Sequence, residues 1–135
     1  MKNKQLIIDS LPEGKLSESN YRLVESEIPE ISSDEVLVKT ISFAITAGTR
    51  AGLQGSASYA GAPTTGIVMN STGIGEIVKS NLEEYPIGKN VLTQTGWQEY
   101  SVQKNQSLTL LRDSVAPSLY LGPLGINGLL SLIHI

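Results

Sequence analysis

Apolar residues fall in short runs along most of this chain, each closed by a cluster of Gly, Pro, Asn or Ser, and that spacing predicts strands more than helices. Gln5 to Asp9 is a first strand, ended by the turn cluster Ser10-Leu11-Pro12-Glu13-Gly14. Asn20 to Glu25 alternates and predicts a second, followed by a loop over 28–34. Glu35 to Ile45 is the clearest strand. Leu37, Lys39, Ile41, Phe43 and Ile45 share one face, and Val36, Val38, Thr40, Ser42 and Ala44 the other. Apolar residues on both faces predict a strand crossing a barrel wall with something packed outside. Further strands are expected at 66–69, 75–79, 91–93, 97–102 and 108–111. Thr46 to Leu53 predicts a short helix or turn, and 54–65, small and polar, a mobile loop. Ala116 to Gly122 and the stretch from Gly125 predict two helical pieces, with Pro117 suited to a first turn. Many short strands with helices near the end give a mainly β fold, a small barrel or sandwich.

Composition narrows the function classes. The chain has 135 residues, one domain's worth, with a net charge of −3 spread along its length. No basic run is present, so nucleic acid and anionic membrane are not expected partners. No stretch approaches the ~20 apolar residues of a membrane span, and no signal peptide opens the chain, so a cytoplasmic protein is expected. Cys is absent and the one His, His134, stands next to the last residue. A thiol nucleophile, a disulfide and a Ser–His–Asp set are thereby excluded, and no metal site is expected.

Individual motifs carry little chemistry. Gly73-Ile74-Gly75-Glu76-Ile77-Val78 begins like a dinucleotide fingerprint. Its third glycine is missing and β-branched residues follow where a helix should start, so a bent strand is expected. Trp97, the only Trp, is either a core aromatic or a pocket wall. Arg50 fits a structural ion pair or a bidentate anion contact. Tyr59 is either a lid aromatic or simply exposed. Asn70-Ser71-Thr72 and Asn105-Gln106-Ser107 match the glycosylation pattern, which has no meaning without secretion.

Taken in order, Leu11-Pro12-Glu13-Gly14, Glu35-Val36-Leu37-Val38-Lys39, Gly73 to Ser80, Gly88-Lys89-Asn90-Val91-Leu92, Gly96-Trp97-Gln98-Glu99-Tyr100 and Tyr120 to Leu129 resemble one family. It is the zinc-independent medium-chain dehydrogenases/reductases, in the branch of the NADP-dependent alkenal double-bond reductases and prostaglandin reductases. The resemblance runs from about Lys4 to Leu129. It implies a GroES-like, partly open β-barrel over 1–121. A linking helix would begin in 122–135, and the Rossmann domain that holds NADPH is not in the chain. It also implies hydride transfer from NADPH to the C=C bond of an α,β-unsaturated carbonyl, a small-molecule substrate. No zinc is needed, and a homodimer stays open for the full-length protein. By position, Gln94, Thr95, Gly96 and Trp97, with Arg50 and Tyr59, correspond to the substrate pocket. Gly125, Ile126, Asn127 and Gly128 correspond to the segment beside the nicotinamide. No catalytic residue is expected in this stretch, and the isolated chain is expected to be inactive.

Three departures stand against the family pattern. Thr46-Ala47-Gly48-Thr49-Arg50 replaces Asp-Pro-Tyr-Met-Arg, so Gly48 stands where a pocket aromatic is usual. Asn127 replaces a Pro. Residues 130–135 do not match and are expected to be non-native. Two other functions stay open: a non-catalytic GroES-like binding or assembly module, and a quinone oxidoreductase of a neighbouring branch. Trp97, Ile126, Leu129 and Leu132 are expected to be partly bare.

Overall fold

The computed structural model describes residues 2–54 and 62–133. Strands β1 (Lys2–Ile8) and β2 (Tyr21–Glu27) form an antiparallel pair. β3 (Glu35–Phe43), β4 (Gly73–Ser80), β5 (Asn90–Thr93), β6 (Tyr100–Lys104) and β7 (Thr109–Leu110) form a second, antiparallel sheet in the order β6-β3-β4-β5-β7. Helix α1 (Ala47–Gln54) follows β3, and α2 (Ile126–Ile133) follows a 3-10 turn at Pro117–Leu121. The fold is mainly β, as the turn spacing predicts, and its sheets stay open without closing into a barrel.

The two sheets are stitched by the outer edge of β1. Leu6 N–H donates to the Trp97 carbonyl (2.8 Å), and Met69 N–H donates to the Leu6 carbonyl (2.9 Å). Ile8 N–H donates to the Ile67 carbonyl (2.9 Å). The stretch 66–69 therefore lies along β1 but pairs only through the Ile7–Val68 bridge, short of the expected strand. Asn3 supplies a side-chain substitute for a strand. Its Nδ2 donates to the Tyr100 carbonyl and its Oδ1 accepts from Tyr100 N–H, both at 2.9 Å, and the residue is buried.

The expected faces of β3 hold only at its start. Val36 and Val38 pack with Ile77, Val91 and Leu108 in one core cluster, and Leu37 is buried on the opposite face. At Ile41 the register slips: Thr40 opposes Gly75 and Ser42 opposes Ile74, so Ile41 has no partner on β4. Such a bulge resets the alternation. Ile41 and Ile45 are exposed, while Phe43 comes to oppose Gly73 and stacks on Trp97.

Gly73 and Gly75 are structural, as the missing third glycine implies. A Cβ on Gly73 would overlap Thr95 Oγ1 and lie 2.8 Å from the Ser42 carbonyl oxygen. A Cβ on Gly75 would overlap Val38 Cγ1 and lie 2.6 Å from the Lys39 carbonyl oxygen. The bare strand lets a neighbouring strand and the 94–97 turn pack against it.

A second core cluster joins Ile8, Leu53 and Met69, with Tyr21 and Trp97 packed against it. It fixes α1 against the β1 edge. The ion pairs, Arg22–Asp9 at 2.8 Å and Lys89–Asp113 at 2.6 Å among them, lie on the surface and contribute little to stability. Nothing buries α2. Ile126, Leu129 and Leu132 are exposed, as expected for that segment, while Trp97 is half-buried.

Candidate functional site

Two neighbouring clefts open between α1, the 69–72 segment and the chain's last helix. The larger, about 460 Å³, has an apolar floor of Ile8, Leu53 and Met69, the second core cluster seen from outside. The smaller, about 230 Å³, lies between Ala44, Leu92 and the start of α2 at Gly125, Ile126 and Asn127. Thr46, Thr49, Ser71 and Thr72 line both and form the partition between them.

Local hydrogen bonds build that partition. β3 ends at Phe43, and Ala44 N–H donates to the Thr72 carbonyl (2.9 Å), holding the chain beside 71–72. Ser71 Oγ donates to the Ala44 carbonyl and is consumed in this tie. Thr46 precedes α1. Its carbonyl accepts from Thr49 N–H (3.1 Å), and its own N–H donates to Thr49 Oγ1 (3.2 Å), a reciprocal cap on the first turn. Thr72 Oγ1 accepts from Gln94 Nε2 (2.9 Å), which draws the 94–97 turn onto the same wall.

The expected pocket residues divide. Gln94 lines the larger cleft. Thr95 is fully buried behind it against Gly73. Gly96 has φ of +65°, and its N–H donates to the Ser71 carbonyl (3.0 Å). A side chain there would meet the Met69 carbonyl oxygen at 3.2 Å, so glycine is required twice over. Trp97 packs behind the floor, stacked between Tyr21 (centroids 5.2 Å apart) and Phe43 (5.5 Å), and lines neither cleft. Its indole N–H has no partner among the described residues. Arg50 also lines neither; its guanidinium donates to the Gly14 carbonyl (2.6 Å) and ties α1 to the first turn. Burial pushes the Tyr21 phenol above its usual range, and the Arg50 charge partly offsets this. Tyr59 lies outside the described residues.

Of the second set, Gly125, Ile126 and Asn127 line the smaller cleft and Gly128 does not. The two glycines have neighbours in their own chain. A Cβ on Gly125 would overlap the Tyr120 carbonyl oxygen, and one on Gly128 the Pro123 carbonyl oxygen. They let α2 start tightly on the preceding turn.

Sequence reasoning missed Thr46, Thr49, Ser71 and Thr72 as one wall. One local signal existed, the Thr-x-x-Thr spacing of a helix start; Ser71 and Thr72 looked like part of a glycosylation pattern. Among the described residues no three His, Asp or Glu side chains converge to hold a metal. No described helix is long and apolar enough to cross a membrane.

Comparison with known proteins gives this arrangement a context. The family model described as the N-terminal domain of oxidoreductase matches residues 4–111. The NADPH-dependent curcumin reductase of Escherichia coli is 30% identical over 128 residues, covering 94% of this chain and 37% of that protein. The NADP(+)-dependent 2-alkenal reductase of Nicotiana tabacum is 28% identical over 134 residues, covering 94% of this chain and 39% of that protein. Among solved structures, CurA of Vibrio vulnificus in complex with NADPH superposes with a TM-score of 0.88 at 26% identity, over 96% of this chain and 39% of that one. The chain thus spans well under half the length of these relatives.

Proposed function

This chain belongs to the oxidoreductase N-terminal-domain family of the medium-chain dehydrogenases/reductases, and from that premise we propose that it is the substrate-side part of an NADPH-dependent reductase of α,β-unsaturated carbonyl compounds. The observation that carries the proposal is that the two clefts adjoin and share Thr46, Thr49, Ser71 and Thr72: ligands bound in adjoining spaces meet along that shared border, as hydride transfer requires. The larger cleft takes the apolar body of the enone on Ile8, Leu53 and Met69. The smaller takes the nicotinamide end of the cofactor. Its walls suit a flat ring bearing a carboxamide, with Ala44, Leu92 and Ile126 for the ring and Asn127 and the threonines for the amide.

NADPH, when bound, supplies the hydride that adds to the β-carbon of the enone. The contribution of this chain is to bind and orient. α1 and the 69–72 segment set the substrate's height above the floor. Gln94 borders its open side, and the α2 start sets the distance to the cofactor. Arg50, Thr95, Gly96 and Trp97 act from behind, by holding α1 and the 94–97 turn in place. We propose residues 1–121 as the substrate domain and 122 onward as the start of the link to a cofactor domain. The relatives named for curcumin and 2-alkenal reduction support an enone over a quinone.

The test joins residues 1–129 to the segment that follows the matched region in the Escherichia coli relative, and follows NADPH consumption with 2-cyclohexenone. The joined protein should consume NADPH in step with the enone, and the 135-residue chain alone should not. A joined protein that binds NADPH and reduces benzoquinone but no enone would overturn the proposal in favour of quinone reduction.

A further inference from the structure

Of the asparagines in this chain, only Asn127 is followed by glycine. It is exposed, lines the smaller cleft and is the second residue of α2. Two features leave the Asn127–Gly128 peptide loosely held. First, the Gly128 N–H lies in the opening turn, where a helix has no acceptor of its own to offer. It donates back to the Gly122 carbonyl at 3.3 Å, longer than an ordinary N–H···O bond. Second, α2 has eight residues, and Ile126, Leu129, Leu130, Leu132 and Ile133 are all exposed. Helices shorter than about 12 residues are marginal in water and draw most of their stability from packing. An unpacked helix start therefore opens locally at little cost.

We infer that Asn127 is a site of spontaneous deamidation, which replaces its amide by a carboxylate on the wall of the smaller cleft. The Gly128 nitrogen, on losing its proton, attacks Asn127 Cγ. The new N–Cγ bond closes a five-membered imide, the Cγ–NH2 bond breaks and ammonia leaves. Water then adds to one of the two imide carbonyls and reopens the ring. The balance is one water in and one ammonia out, with nothing oxidised or reduced. Gly128 suits the step because no Cβ shields the attacking nitrogen. Ring closure also requires Asn127 to leave helical backbone angles, which the unpacked first turn permits. Breaking the N–Cγ bond gives an aspartyl residue with the chain unaltered. Breaking the other imide bond gives an isoaspartyl residue, whose main chain runs through the side-chain carbon. The two products act differently on α2. A carboxylate in the first turn of a helix is favourable, so the aspartyl form keeps α2. The isoaspartyl form adds a main-chain atom next to Gly128, where even a Cβ would overlap the Pro123 carbonyl oxygen. It therefore breaks the start of α2 and displaces that wall of the cleft. None of this depends on what the smaller cleft binds.

Tryptic cleavage after Arg112 releases residues 113–135, in which Asn127 is the only Asn and no Gln occurs, so a deamidation mass gain in that peptide belongs to Asn127. The 135-residue chain, shown to be folded by a cooperative Trp97 fluorescence transition, is aged at mildly alkaline pH with and without guanidinium chloride. Local opening at a free energy near zero predicts a folded rate within about tenfold of the unfolded one. A larger gap, or no gain in the folded chain, overturns the inference, because the fold would then protect the site. Asn127→Gln should abolish the gain, since the longer side chain closes its ring poorly, and persistence of the gain overturns the assignment. The two products are then separated by chromatography and compared by amide chemical shifts. The isoaspartyl form should differ from the parent across residues 120–128, whereas Asn127→Asp should resemble it. An isoaspartyl form with parent-like shifts there overturns the predicted effect on α2.

Discussion

Gly73→Ala is the sharpest test of how the strands carry the site. The added Cβ would overlap Thr95 Oγ1 and sit 2.8 Å from the Ser42 carbonyl oxygen. Thr95 can turn away, but the carbonyl belongs to β3, which pairs with β4 at Phe43–Gly73 and cannot retreat alone. Overpacking of a rigid site costs about 1–3 kcal/mol, and the backbone contact places this one near the top of that range. With a urea m-value of about 1.5 kcal/mol/M, a loss of about 3 kcal/mol moves the unfolding midpoint down by about 2 M. Trp97 reports the transition by fluorescence and is the only Trp. Thr95→Ala separates the two contacts. Alone it should change stability by about 1 kcal/mol or less, because it removes a buried hydroxyl with no described partner along with some packing. Combined with Gly73→Ala it should recover about 1–2 kcal/mol and leave the Ser42 contact unrelieved. A midpoint for Gly73→Ala within about 0.3 M of the parent, or strictly additive costs in the double variant, would refute the close-approach account.

Asn3→Ala should cost about 2–4 kcal/mol, because it leaves both the N–H and the carbonyl of Tyr100 without the side-chain partner that now serves them. Hydrogen exchange checks the cause: the Tyr100 amide should lose its protection, and an unchanged rate there would count against it. The Tyr21 phenol is raised in the folded state, first by burial and against the pull of Arg50. A raised folded value means that the folded chain holds the proton more tightly, so its contribution is complete below the unfolded phenol value of about 10 and is lost as pH rises through the folded value. Thermal unfolding should therefore show stability falling above about pH 10, and Tyr21→Phe should flatten that part of the profile.

The legible parts of this fold are those decided within a few residues. The apolar run over 36–38, buried on both faces, and the Gly and Pro turns locate the strands because both are read within a few residues. The bulge at Ile41 is not local. It depends on which residues of β4 stand opposite, and it turns Phe43 toward Trp97 and Ile41 toward solvent. Asn3 is illegible for the same reason: its partner, Tyr100, lies 97 positions away. The partition between the clefts combines both cases. The Thr46–Thr49 cap is local, whereas its approach to Ser71 and Thr72 depends on the bond from Ala44 to Thr72 across the β3–β4 edge. Chemistry entered only through resemblance to a family, and one of the three departures expected from that family, Thr46 to Thr49, lies where the two clefts meet. A position that bridges two ligand-sized spaces is exposed to both ligands and buried by neither. On the reading proposed above, a substitution there alters what the larger cleft accepts and costs the protein no more than the local Thr46–Thr49 cap. That combination makes the departure a candidate for substrate choice, and it explains why the surrounding scaffold of Gly73, Gly75 and Gly96 has no such freedom.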